Sequence, residues 1–126
     1  MSRPEQVREV LTAGAEAVAV GTVLLRTPES GASAVYKAAL NDPRRDGTIV
    51  TRSFSGRPAR ALRNRFTDRF HDLARAGHPA LHHLTSPLRK ASAPAGDPEH
   101  VNLWAGAGWR DATDEPVAEI LRRLAS

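Results

Sequence analysis

The chain contains no cysteine. That excludes disulfides and thiolate metal sites, and it leaves the redox compartment undecided. Long hydrophobic runs are also missing: the longest apolar stretch is about ten residues, far short of the roughly 20 needed to span a membrane. Lysine is scarce. Lys37 and Lys90 are the only two among 18 basic residues, so the positive charge is carried by arginine. Against 14 acidic residues this leaves a formal net charge of +4, weak support for a nucleic-acid partner even with a pI near 10.6. The N-terminal stretch MSRPEQVREVLTAGAEA places acids among its apolar residues, unlike a secretory signal. No repeat and no low-complexity tract occurs. The length of 126 residues suits one domain able to bury a core without staples, and the expectation is a cytoplasmic protein with no membrane partner.

What is present reads mostly as helix. Residues 4 to 13 carry an apolar stripe of Val7, Val10 and Leu11 behind Pro4, and Gly14 sits where a helix often ends in the left-handed conformation. EAVAVGTVLL follows, with valines at 18, 20 and 23, in the pattern of a strand buried on both faces. Thr27-Pro28-Glu29 signals a new helix running to about Leu40. TIVT at 48 to 51 is a short extended piece, a further helix is expected from Pro58 past Phe70, and another near Ser86 or Pro87. PAGDPEHVNLWAGAGW reads as loop with one turn. The chain ends on a capped helix with Val117, Ile120, Leu121 and Leu124 inward and Arg122 and Arg123 at its negative end. One buried strand among so many helices is a contradiction, because each peptide group of a buried strand needs a partner. The segment is therefore misread, paired with another copy, or part of a sheet that this chain does not contain.

TRSFSGRPARALRNRF, residues 51 to 66, concentrates Arg52, Arg57, Arg60, Arg63 and Arg65. Projected on a helix over 58 to 73, Ala59, Leu62, Phe66, Phe70 and Leu73 fall within an arc of roughly 80°. Arg60 and Arg63 then flank it on one side, Arg65 and Arg69 on the other, with Asp68 and Asp72 in pairing reach. That is the distribution of a packed helix with snorkelling arginines, since a groove-tracking helix gathers its charge on one face. The SGRP turn before it offers backbone N–H groups to an anion.

Other signals are weaker. AVGT at 19 to 22 puts a glycine and a hydroxyl at a strand end, where α/β folds bind ligands. Histidines stand at 71, 78, 82, 83 and 100, but Pro79 interrupts the His78/His82 pair and no acidic cluster adjoins it, so no metal site is assigned. No G-x-S-x-G nucleophile motif occurs, and no catalytic residue is assigned. NLWAGAGW at 102 to 109 is open between a structural plug and a cover over a flavin or substrate.

Taken together, GAEAVAVGTVLLRTPESGASAVYKAAL, TRSFSGRPARALRNRF, HHLTSPLRKAS and VNLWAGAGWR…EPVAEILRRL resemble the C-terminal part of nitronate monooxygenases, formerly called 2-nitropropane dioxygenases. The resemblance runs in order over essentially the whole chain, and its FSGRPAR-x-x-R-N-x-F and NLWAG-x-G elements do not arise from barrel geometry alone. It implies an FMN-dependent enzyme that oxidises alkyl nitronates with O₂. The implied fold class is α/β: the C-terminal fragment of a TIM (β/α)8 barrel, mostly helical as an isolated chain. Residues 1–126 would then be a single partial domain, with 4–25 as the last barrel helix–strand unit (helix 7 and strand 8), 28–110 as a helical insertion and 114–125 as the closing helix. Flavin-dependent enoyl-acyl-carrier-protein reductases share the barrel and the strand-end GT.

The resemblance also implies a site. Gly21 and Thr22 match the family's Q-M-G-T element, which binds the FMN phosphate, and Ala19 and Val20 occupy its first two positions. The glutamine contact is thus missing, and Ala107 stands where the family often has glutamine in WAGQG. The Gly-Gly-Ile loop that cradles the other side of the phosphate would lie upstream of Met1, and none of the five histidines matches the family's flavin-site base. The expectation is a truncated, incomplete FMN site with little activity. Two rivals remain at this level: a small basic nucleic-acid-binding module, and a fragment completed by self-association or a partner chain.

Overall fold

A computed structural model describes all 126 residues, Met1–Ser126. Two compact units emerge, one from Met1–Ala32 with Gly108–Ser126, the other from Ser33–Ala107.

The first unit starts with helix α1, Pro4–Thr12, whose first-turn proline sits where no intrahelical N–H is needed. Gln6 Oε1 accepts from the Ser2 N–H at 2.9 Å, and Gly14 closes the helix at φ +103° as its position suggested. The strand expected at EAVAVGTVLL does not form. Val18 and Val20 are half-buried while Ala17, Ala19 and Gly21 are exposed, the period-two alternation of a strand with one wet face. It has no ladder, because the chain's one sheet lies elsewhere. A 3-10 turn, Thr22–Leu24, follows.

The helix expected from Thr27 is also absent there. The Thr27 hydroxyl donates backwards to the Leu24 carbonyl at 3.0 Å, and the next helix starts only behind Ser33. Glu29 does face a positive helix end, but that of α5, Val117–Leu124: its carboxylate accepts the Val117 N–H at 3.2 and 3.3 Å. Ile120 and Leu124 of α5 join Val7 and Val23 in the core, with Val18, Val20 and Leu24 against them. Leu121, expected inward, is 47% exposed.

In the second unit, α2 spans Ala34–Asn41 and begins behind Ser33, whose hydroxyl accepts the Tyr36 N–H at 3.4 Å. TIVT is strand β1, Thr48–Thr51, as expected. Its partner lies inside the presumed arginine helix. Strand β2, Ala59–Leu62, pairs antiparallel with β1 in the register Thr48↔Leu62 to Thr51↔Ala59. On the far edge of β2, the Leu62 N–H donates to Leu103 and the Ala105 N–H to Arg60, so NLWAG lies alongside it. This is why the helical projection fails for 59–62: the pairing partners lie eight or more residues away, beyond the reach of local periodicity.

Helix α3 is confined to Arg65–Phe70. Asn64 starts it, accepting the Thr67 N–H at 3.0 Å while the Thr67 hydroxyl accepts the Asn64 N–H, a reciprocal capping box. Helix α4, Ala80–Ser92, begins a turn and a half before the expected Ser86 and carries Pro87 within it. Phe54, Ala61, Leu62 and Leu103 are fully buried. Phe54 stacks on Phe66 at 4.6 Å between ring centroids, and Trp104 meets Phe54 edge-on at 5.5 Å.

Candidate functional site

The four residues singled out at 19 to 22 are contiguous and differ in what they offer. Val20 turns its side chain onto the Val7–Ile120 core, and Ala19 faces solvent. Neither carries a polar side chain. Gly21 is exposed at φ −138° and ψ −62°, and a Cβ added there would meet nothing within 4 Å. Its carbonyl accepts the Leu24 N–H at 2.9 Å, which closes the 3-10 turn. Thr22, half-buried, opens that turn. A group approaching here meets open backbone at Gly21 and one hydroxyl, a combination suited to a phosphate oxygen and too sparse to grip an aromatic ring.

The same unit holds a second polar cluster. The Ser2 hydroxyl donates to Asp111 at 2.6 Å and the Arg3 guanidinium at 3.1 Å. Burial pushes the Asp111 carboxyl up, but these two donors outweigh it and hold the group below the usual aspartate range. Arg26 donates to the Ala112 carbonyl at 2.7 Å. These bonds tie the Gly108–Ala112 stretch to the N-terminal region and leave no group poised for chemistry.

The arginine segment resolves into local ties. Arg60 donates to the Thr48 hydroxyl across the hairpin at 3.1 Å, Arg63 pairs with Asp68 at 3.3 Å, and the Arg69 guanidinium lies 5.3 Å from the Phe70 ring centroid. Asp68 was expected to pair with Arg65. Instead the Arg65 N–H donates to Glu99, which also takes Arg45 at 2.9 Å. The SGRP turn is not an anion cradle, since no helix follows it. The Gly56 N–H donates to Arg52 at 2.9 Å, and the Arg57 N–H to the Ser55 hydroxyl at 3.3 Å. Gly56 has φ +80°, and a Cβ there would sit 2.6 Å from the His78 nitrogen, so only glycine fits.

His78 and His82 rings are 6.4 Å apart, and the His82 Nδ1 stands 3.2 Å from an Arg89 guanidinium nitrogen. Burial and that cation press the His82 imidazole below its ordinary range. Both tryptophans are packed: Trp109 is buried with Arg110 over its ring at 4.3 Å, and Trp104 abuts Phe54. Tyr36 donates its hydroxyl to the Trp104 carbonyl, and burial pushes its phenol up. Sequence reasoning missed Asn64, whose amide donates to the Pro98 and Val101 carbonyls at 3.0 and 2.8 Å. The Asn-x-x-Thr capping pattern at 64 to 67 was the available signal.

A family model described as nitronate monooxygenase matches residues 1–126. A nitronate monooxygenase from Pseudomonas aeruginosa is 39% identical over 124 residues, covering 94% of this chain and 34% of that protein. A probable nitronate monooxygenase from Staphylococcus aureus (strain Newman) is 34% identical over 113 residues, covering 88% and 32%. Among solved structures, nitroalkane oxidase from Streptomyces ansochromogenes superposes with a TM-score of 0.96 at 49% identity, over 99% of this chain and 36% of that one. FabK from Thermotoga maritima superposes with a TM-score of 0.76 at 23% identity over 98% and 40%, a likeness of fold. Both solved relatives are TIM-barrel enzymes. The chain spans about a third of the length of the curated relatives it matches. No helix is long and apolar enough to cross a membrane.

Proposed function

The chain belongs to the nitronate monooxygenase family, and on that premise we propose that it is the phosphate-gripping, closing part of an FMN-dependent TIM barrel that oxidises alkyl nitronates with O₂. Residues 4–25 are its last helix–strand unit, 28–110 the insertion, which carries the β1–β2 hairpin beside its helices, and 114–125 the closing helix. The observation that carries this reading is the stretch from Ala17 to Thr22: strand-like alternation without a ladder, ending on an open glycine and a hydroxyl. Such a segment suits one strand of a larger sheet, with Gly21 and Thr22 at its ligand end.

The residues present fit the phosphate of FMN and little else of it. The Gly21 backbone and the Thr22 hydroxyl can approach an anionic oxygen, while Ala19 and Val20 contribute shape without hydrogen bonds. When bound, FMN would supply the redox chemistry that couples nitronate oxidation to O₂. No histidine here is assigned as the base that takes the substrate's α-proton. Residues 1–126 alone therefore turn over propyl-2-nitronate slowly or not at all. The unpaired Ala17–Gly21 edge favours a second reading alongside the first, completion by a polypeptide that supplies neighbouring strands.

Split complementation tests both. The chain is co-expressed with the part of the Streptomyces nitroalkane oxidase that it does not cover. The expected result is a co-purifying complex that retains FMN and oxidises propyl-2-nitronate, with Gly21→Asp losing flavin retention through charge repulsion at the phosphate. Full turnover by the chain alone would sink the impairment, and unaltered flavin retention in Gly21→Asp would remove the phosphate site from residues 19 to 22.

A further inference from the structure

The second unit contains a cavity of about 730 Å³ that the reading above does not use. Its walls are Phe66 and Phe70 of α3, Leu73 of the connecting loop, and Ala80, Leu81 and Leu84 of α4. Two hydroxyls reach it, and both are engaged. The Ser53 hydroxyl lies 2.6 Å from that of Thr51, and the Thr85 hydroxyl donates to the Phe54 carbonyl at 2.6 Å. The rest of the wall is almost wholly apolar side chains, so an occupant must be largely apolar along the buried part. The volume is that of a small-molecule pocket.

The mouth has the opposite character. Arg75 is the one charged residue on the lining. The segment that builds the loop and α4, residues 73 to 96, contains no Asp or Glu but carries Arg75, Arg89 and Lys90 together with His78, His82 and His83. Asp72 at its border is the nearest acid along the chain. An apolar hollow with a single cation, Arg75, on its lining matches a molecule with a long alkyl body and an anionic head. Leu73 and Leu84 are 69% and 76% exposed, apolar side chains beside the hollow that an alkyl chain would cover. The surface is concave, which suits a single free chain better than the plane of a bilayer.

We propose that this cavity between α3 and α4 binds a free single-chain anionic amphiphile, a long-chain monocarboxylate being the simplest example. The alkyl chain lies against Phe66, Phe70 and Leu81, and the carboxylate stays at the mouth beside Arg75. The proposal is independent of flavin binding and of nitronate chemistry.

The test uses the full chain with dodecanoate below its micellar concentration, followed by amide chemical shifts and titration calorimetry. Dodecanoate is expected to move the resonances of α3 and α4, with Arg75→Glu weakening it by about tenfold and leaving the uncharged dodecanol unchanged. Leu84→Glu, at a side chain already exposed and so harmless to folding, is expected to weaken both ligands by about tenfold. Unmoved α3 and α4 resonances, or undiminished binding by Leu84→Glu, would overturn the site. Equal loss of dodecanol and dodecanoate in Arg75→Glu would overturn the anionic head. Uptake by phosphatidylglycerol vesicles without binding of free dodecanoate would replace it with a membrane surface.

Discussion

The two units of this chain bury their cores in different ways. The unit of Ser33–Ala107 closes over aromatic rings: Phe54, Leu62 and Leu103 are fully buried, Phe54 and Phe66 are stacked, and a hairpin runs beside them. Its buried polar hub, Asn64, holds three backbone groups at once. The unit of Met1–Ala32 with Gly108–Ser126 has a thinner, aliphatic core of Val7, Val23, Ile120 and Leu124, with three half-buried neighbours. Polar ties across more than 80 residues of chain supplement it, from Ser2 and Arg3 to Asp111, from Arg26 to Ala112, and from Glu29 to Val117. The candidate phosphate-binding stretch lies in this sparser unit of Met1–Ala32 with Gly108–Ser126. Binding segments are commonly drawn from the less consolidated parts of a fold, where backbone stays accessible.

If that contrast is correct, the largest loss comes from the aromatic stack. Phe54→Ala should cost about 3–5 kcal/mol, because its ring is fully buried between Phe66 and Trp104. Urea unfolding measures the loss, and hydrogen exchange should place it in β1, β2 and α3. A loss under about 1 kcal/mol would show the stack to be ordinary packing. Next is the hub. Asn64→Ala strands two carbonyls and an N–H and should cost about 3 kcal/mol. Asn64→Asp keeps the cap but sets a carboxylate against those carbonyls, so a mild phenotype there would mean that the cap alone matters.

Smaller effects are expected in the thinner unit. Glu29→Ala removes the distal cap of α5 and should cost about 1 kcal/mol, read as faster exchange of the first-turn amides of α5. Smallest is the acid dependence of Asp111. Its carboxyl titrates lower in the folded state than in the unfolded chain, so its contribution is complete above the ordinary aspartate value of about 3.9 and fades as pH falls through the lowered one. A thermal-melt series across that range should flatten in Asp111→Asn. An unchanged slope would mean that the Ser2 and Arg3 ties add nothing.

Elements with strong local signals were legible from sequence. Pro4 and Gly14 bracket α1, Arg122 and Arg123 end α5, and TIVT pairs as an extended piece. The failures share a cause. ALRNRF looked helical throughout because Leu62 and Phe66 are four apart, yet Leu62 belongs to a strand set by Thr48 and Leu103. Thr27 looked like a cap, but the helix that follows starts behind Ser33, and the Thr27 hydroxyl bonds back to Leu24. The candidate site was legible only as the letters GT, and the run that frames them read as a strand buried on both faces, where the structure leaves Ala17, Ala19 and Gly21 exposed.

The sequence alone determined the absence of disulfides, the arginine-borne charge and the family, because these depend on residue identity and order. Tertiary structure decided which arginines pair, which helix Glu29 caps, and whether valines 18 and 20 make a strand. Each of those depends on a partner distant along the chain, and an unpaired peptide group or an uncapped helix end carries no mark in its own residues.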